Sequence, residues 1–346
     1  MRILQVMAGK GNGGAELYST DVMLSLHQQG IDQCIAMRPD APRFAELQAA
    51  GLRMAPLQHT ALLLRPWQRS QMRKLIAHEN PGIIQCWMRR AASLVPRDQA
   101  AAVIGWFGDY EDVPNFANCT HFAGCTQDLV RHMRAGGVPP EKTAYIPTFP
   151  SVDDLPALHR ATLDTPTDAK LLLTLSRLHP TKGLDTLLLA LHDLPDCYLW
   201  IAGEGPMRAE LETLARQSGV IGRVRFLGWR TDRGALLRAA DICLLPSSYE
   251  PFGTVILDAW STRCAFIACD SAGPRAHLQN GINGMLVPAG DAAALAAAIR
   301  AVNSDPALRN RIVEAGFADY RAHFTREAVT QQWITYYQSL NPSHVS

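Results

Sequence analysis

Two stretches of this chain put residues where a phosphorylated, hydroxyl-rich ligand would need them. In LSRLHPTKGLDTLLLAL a strand-like run ends at Ser176, Arg177 follows, and Lys182 and Gly183 precede a helix-like run. Ligands of open α/β sheets bind at such strand ends. Either cation alone would pass for a solvated turn charge, but together they can neutralise a pyrophosphate. In LLPSSYEPFGTVILDAWSTRC a buried strand ends at Pro246, and Ser247, Ser248, Tyr249 and Glu250 lead through Pro251, Phe252 and Gly253 into a helix bearing Asp258. An acid before a helix often serves only as a cap. Beside exposed amides, however, a carboxylate can accept bonds from hydroxyls while the N–H groups hold phosphate oxygens.

Three further loops carry weaker signals. GKGNGGAE, from Gly9 to Glu16 and including Gly13 and Gly14, separates the first strand from the first helix. Its glycines let backbone amides approach an anion, although a plain tight turn fits as well, and neither GxGxxG nor a P-loop is present. IAGEGPMRAEL places Gly203, Glu204 and Gly205 after a strand, with Pro206 suited to the first position of a helix. GWFGDYEDVPNF sets Trp106, Phe107 and Tyr110 beside Asp109, Glu111 and Asp112, which reads either as a sugar-stacking surface or as a packed loop.

These loops need rigid elements to hold them. Apolar strand-like runs alternate with amphipathic stretches throughout, the pattern of a parallel sheet flanked by helices. In the first half strands are expected near Ile3–Met7, Gln33–Met37, Gly82–Cys86, Ala102–Gly105, His121–Gly124 and Thr143–Ile146, with helices over Glu16–Gln29 and Pro66–Glu79 among those between them. Four prolines between Pro147 and Asp168 break the pattern and mark a linker. The alternation then restarts as a second doubly wound unit. A helical tail rich in aromatics follows from Pro306, suited to packing back on the first domain. The expected boundaries are residues 1–150, 169–320 and 321–346.

A length of 346 residues suits two domains, and 47% hydrophobic with 19% charged residues describes a globular chain. A net charge of +1 argues against a nucleic-acid partner. Between Arg53 and Arg97, though, eight cations face Glu79 alone. With Leu62, Leu63, Leu64 and Trp67, this stretch suits peripheral contact with an anionic membrane, or else an ordinary solvated helix face. The eight cysteines show no CxxC or metal-ligand spacing and read as reduced thiols. MRILQVMAG lacks a secretory h-region and no run is long enough to span a bilayer, so a cytoplasmic protein is expected.

Taken in order, GGAE, SRL with KG, AGEGP, FLG, EPFGTVILD and GxNGMLVP resemble the retaining glycosyltransferases of family four, on the GT-B fold. The resemblance spans nearly the whole chain and is strongest from Leu171 to Ala289. It implies an N-terminal acceptor-binding domain and a C-terminal nucleotide-sugar-binding domain, both Rossmann-like and facing a cleft. It also implies transfer of a hexose from a UDP- or GDP-sugar to a glycan or lipid-linked acceptor, without metal or other cofactor, in lipopolysaccharide or exopolysaccharide synthesis. By the same resemblance Arg177 and Lys182 hold the donor diphosphate, and Glu250 binds sugar hydroxyls. Phe252, Gly253 and Thr254 offer amides, and Gly203 and Glu204 also line the donor side. Gly13 and Gly14 approach the phosphates or the acceptor, and Asp258 takes the ribose.

Two departures stand out. Asp258 replaces the usual Glu, and Trp106, Phe107, Gly108 and Asp109 stand where many relatives carry a histidine, which puts Trp106, Asp109 and Tyr110 on the acceptor side. His121 reads as a strand-edge histidine. A nucleotide-sugar epimerase or hydrolase, or an inactive nucleotide-sugar-binding protein, fits the same fold. The GGAE loop and the E-x7-D helix favour the transferase over the epimerase, and the lack of GxGxxG disfavours a dinucleotide dehydrogenase.

Overall fold

The computed structural model describes residues 1–9, 11, 13–57 and 65–340. The chain divides into two compact units, Met1–Phe149 with Arg326–Ser346, and Pro150–Thr325.

Unit 1 is built from β1 (Arg2–Met7), α1 (Gly14–Gln28), β2 (Asp32–Met37), α2 (Phe44–Ala49), β3 (Arg53–Pro56), α3 (Arg65–Glu79), β4 (Ile83–Trp87), α4 (Met88–Leu94), β5 (Ala102–Phe107), β6 (His121–Gly124), α5 (Gln127–Ala135) and β7 (Thr143–Tyr145). The strands form one parallel sheet in the order β3-β2-β1-β4-β5-β6-β7. Strands covered on both faces read as continuous apolar runs. On one face Leu4, Ile84, Val103 and Phe107 pack with Met72 and Ile76 of α3 and Val130 and Met133 of α5.

Unit 2 repeats the plan with β8 (Lys170–Leu175), α6 (Leu184–His192), β9 (Cys197–Ala202), α7 (Arg208–Gln217), β10 (Val224–Gly228), α8 (Arg233–Ala239), β11 (Ile242–Leu245), α9 (Thr254–Ser261), β12 (Ala265–Cys269), α10 (Ala272–His277), β13 (Met285–Val287), α11 (Ala292–Ser304) and α12 (Pro306–Asp319). Its parallel sheet has the order β10-β9-β8-β11-β12-β13. Leu172, Leu199, Leu244 and Ile267 pack under Leu187 and Leu191 of α6 and Leu295 and Ile299 of α11. Side chains of this size contribute about 1.5–3 kcal/mol each when fully buried. A π-helical turn, Tyr320–Phe324, ends the unit with Phe324 against Trp260.

The last helix, α13 (Arg326–Leu340), belongs to unit 1. Its indole at Trp333 donates to the Tyr18 hydroxyl of α1 at 2.9 Å, and that hydroxyl donates to the Pro147 carbonyl at 2.9 Å. Tyr337 reaches Gln85 at 3.3 Å, while Trp87 and Gln33 are both bonded to Gln5. Every strand read from the sequence is present, within two residues at its ends. The sequence reading named neither β3 nor α10, and Pro206 lies in a turn ahead of α7, which starts at Arg208.

Candidate active site

In unit 2 the strand order reverses between β8 and β11. A sheet of this kind opens a crevice at the carboxyl ends of the two strands flanking such a reversal. Lys182 follows β8 and Glu250 follows β11, and the two side chains meet there, Nζ to Oε2 at 2.7 Å, each only 15–16% exposed. Glu250 Oε1 accepts the Gly253 amide at 3.2 Å, just ahead of α9. Arg177, at the end of β8, is exposed, and its guanidinium has no ion-pair or hydrogen-bond partner among the described residues. The loops after β8 and β11 thus carry a carboxylate–ammonium pair, exposed Arg177 and the N-terminus of α9.

Backbone contacts fix these loops. Gly183 has φ +62, and a Cβ there would lie 2.1 Å from the Pro246 carbonyl oxygen, so the loop after β8 rests directly on the end of β11. Ser248 N donates to Thr181 O at 3.0 Å across the same junction, and Gly273 N donates to Glu250 O at 2.7 Å from α10. At Gly203 a Cβ would stand 1.8 Å from Ser176 O, and at Gly205 2.3 Å from Leu178 O. The AGEGP glycines therefore serve close packing of the β9 and β8 loops. Glu204 points outward beside Arg208, 3.8 Å away.

Asp258 lies on α9, as its spacing from Glu250 requires. Its side chain is fully buried, and Oδ2 pairs at 3.0 Å with Arg233 Nη1, whose Nη2 holds the Ser151 carbonyl at 2.5 Å. The carboxylate is thus held by α8. No motif flags Arg233, since 25 residues separate the pair. Phe252 is almost fully buried, edge-on to His277 with centroids 4.6 Å apart. Burial pushes the His277 imidazole down to about 4.

In unit 1 the described glycines Gly9, Gly11 and Gly13 lie around the Glu16 carboxylate. Gly13 N donates to Glu16 Oε2 at 3.2 Å, and a Cβ on Gly11 would sit 2.4 Å from Glu16 Oε1. Gly14 has open space on its Cβ side, while Lys10 and Asn12 lie outside the described residues, as do Leu62–Leu64. Trp106 is buried against Tyr18 and Trp87, with centroids 5.6 and 5.5 Å away, and Phe107 stacks on Phe116 at 4.1 Å. The expected aromatic surface thus goes mostly into the core, because apolar rings that follow a central strand gain more from burial. Asp109 stays exposed and accepts the Tyr110 amide at 2.7 Å, and the Tyr110 hydroxyl donates to Asp128. His121 is the first residue of β6 and half-buried, a histidine at the strand's end as expected, and burial and Lys142 lower its pKa. Among the described residues no group of three or more His, Cys, Asp or Glu converges as a metal site.

Two doubly wound parallel units, one with cations and an acid at its switch point, define a GT-B architecture. HepE of Anabaena, solved in complex with UDP-glucose, shares it at a TM-score of 0.82 and 21% identity, over 98% of this chain and 100% of that one. A family model described as glycosyl transferases group 1 matches residues 157–319. Along its length the chain is 32% identical to the lipopolysaccharide core biosynthesis glycosyltransferase LpsE of Rhizobium meliloti, covering 96% of this chain and 98% of that protein. It is 30% identical to LpsD of the same organism, over 96% and 97%. The chain belongs to the group 1 glycosyl transferases.

Proposed function

We propose that this glycosyltransferase moves a hexose from a UDP- or GDP-sugar to a hydroxyl of a lipid-linked glycan in lipopolysaccharide core assembly, with retention of anomeric configuration. The observation that carries the reading is the Lys182–Glu250 pair at the switch point of unit 2, with exposed Arg177 on the loop that follows β8. Arg177 and Lys182 hold the diphosphate and stabilise the charge that grows on it as the glycosidic bond breaks, a task that needs no metal. Glu250 accepts bonds from the sugar hydroxyls and keeps the Gly253 amide, and the amides of Phe252 and Thr254 hold donor oxygens. On this reading the acceptor attacks on the face the leaving group departs from, and a diphosphate oxygen takes its proton. The similarity to LpsE and LpsD over nearly their full lengths supports the lipopolysaccharide setting.

Exposed Trp67, together with Arg73 and Lys74 on α3, supports peripheral contact with the cytoplasmic face of an anionic membrane. Among the described residues no helix is long and apolar enough to cross a membrane.

The test is binding and turnover of a panel of UDP- and GDP-sugars with a truncated lipopolysaccharide core as acceptor. One donor should bind and turn over, Lys182→Ala should lose the nucleotide, and Glu250→Ala should lose mainly the preference for nucleotide-sugar over nucleotide. Absence of donor binding across the panel would overturn the proposal.

A further inference from the structure

Lys182 and Glu250, on the loops that follow β8 and β11, are bonded to each other at 2.7 Å. We propose that Glu250 acts as an internal competitor for Lys182, so that the site holds a nucleotide still carrying its sugar and disfavours the bare nucleoside diphosphate left after transfer. The inference rests on the donor-site reading above.

The geometry leaves Lys182 little freedom to serve both partners. The 2.7 Å contact joins two side chains that are each about 85% out of solvent. Their loops are clamped by the backbone of Gly183 on Pro246, by Ser248 N on Thr181 O, and by Gly273 N on Glu250 O. An ammonium has only donors and an ionised carboxylate only acceptors. When a diphosphate draws Lys182 to itself, Glu250 keeps a single described donor, the Gly253 amide at 3.2 Å, in a place largely shut off from water. Leaving a buried carboxylate without its cation is costly, and the incoming phosphate charge adds repulsion. Sugar hydroxyls are donors and refill the vacated lone pairs, whereas a nucleotide without its sugar cannot. Once the hexose has moved to the acceptor, the penalty returns and the diphosphate is expelled. Arg177, with no partner among the described residues, attracts the diphosphate without this opposition.

Isothermal titration of UDP, GDP, UDP-glucose and GDP-mannose to the native protein and to the isosteric variant Glu250→Gln tests this. The variant should bind the accepted nucleoside diphosphate about tenfold more tightly, a difference of about 1.4 kcal/mol, and should lose its preference for the nucleotide-sugar. If the nucleoside diphosphate binds the native protein and Glu250→Gln leaves its affinity unchanged or lowers it, the competition is refuted while the donor site stands. If no nucleotide binds either protein, both readings fall.

Discussion

Replacing Gly183 by alanine tests whether backbone contact, and not side-chain chemistry alone, sets the donor site. Gly183 has φ +62, and the new Cβ would start 2.1 Å from the Pro246 carbonyl oxygen, where at least 3.0 Å is needed. An L-residue held in the left-handed region costs about 1–2 kcal/mol on its own account. The loop must then lift off β11, which stretches the 3.0 Å bond from Ser248 N to Thr181 O and draws Lys182 away from Glu250. A total near ~3 kcal/mol follows from adding one lost hydrogen bond. A displacement of about 1 Å at a reacting centre costs roughly a hundredfold in rate. Gly219 supplies the control, with φ +70 and nothing within 4 Å of its Cβ position, so Gly219→Ala carries the conformational cost without the collision. Urea unfolding and donor turnover measured on both variants should show Gly183→Ala less stable than Gly219→Ala by about 1 kcal/mol and deficient in kcat/KM, with Gly219→Ala near native in activity. Equal destabilisation of the two, or full turnover by Gly183→Ala, would refute the reasoning.

Three further outcomes follow from the geometry. Arg233→Ala leaves the fully buried Asp258 carboxylate without its cation and should destabilise unit 2 by about 3 kcal/mol, while the double variant with Asp258→Ala should cost clearly less than the two single changes together in urea unfolding. Because burial holds His277 near 4 in the folded state, below its ordinary 6.5, both states are neutral above pH 6.5; from there down to about 4 only the unfolded state gains a proton, so stability falls with pH by up to about 1.4 kcal/mol per unit. His277→Phe should flatten that part of the native pH–stability curve, and an unchanged slope would show that other groups set it. Trp333→Ala removes a fully buried indole that bonds Tyr18 and packs on Trp87 and Tyr337, and should cost about 3–5 kcal/mol in urea unfolding.

The fold was legible because both sheets are parallel and covered on both faces. In β8 and β11 every residue but Lys170 is buried, and such strands write themselves as unbroken apolar runs between amphipathic helices. The element β3 escaped because it ends the sheet. Its four residues, Arg53 to Pro56, are nowhere fully buried, so no apolar alternation marks it. The helix α10 escaped for the opposite reason: AGPRAH has little helical propensity, and the segment is held by the packing of Gly273 against Glu250 and Phe252.

The site was legible only where charge and spacing along the chain carry the information. Lys182 and Glu250 stood out singly, but their meeting depends on the sheet running β8 next to β11, a pairing that joins residues 68 apart. The same limit explains Asp258 and Trp106. The spacing from Glu250 puts Asp258 on α9, but its ion pair joins it to Arg233, 25 residues away, which no motif links to it. An aromatic after a strand reads as exposed or buried alike until the ring behind it is known, and for Trp106 that ring is Tyr18 on α1, itself held by Trp333 near the end of the chain. Backbone-to-backbone contacts are similarly silent in sequence, apart from their requirement for glycine. Gly203 was expected to line the donor side; in the structure the atoms that it, Gly183 and Gly205 approach belong to the neighbouring strand loops, which is how the loop carrying Lys182 is held still.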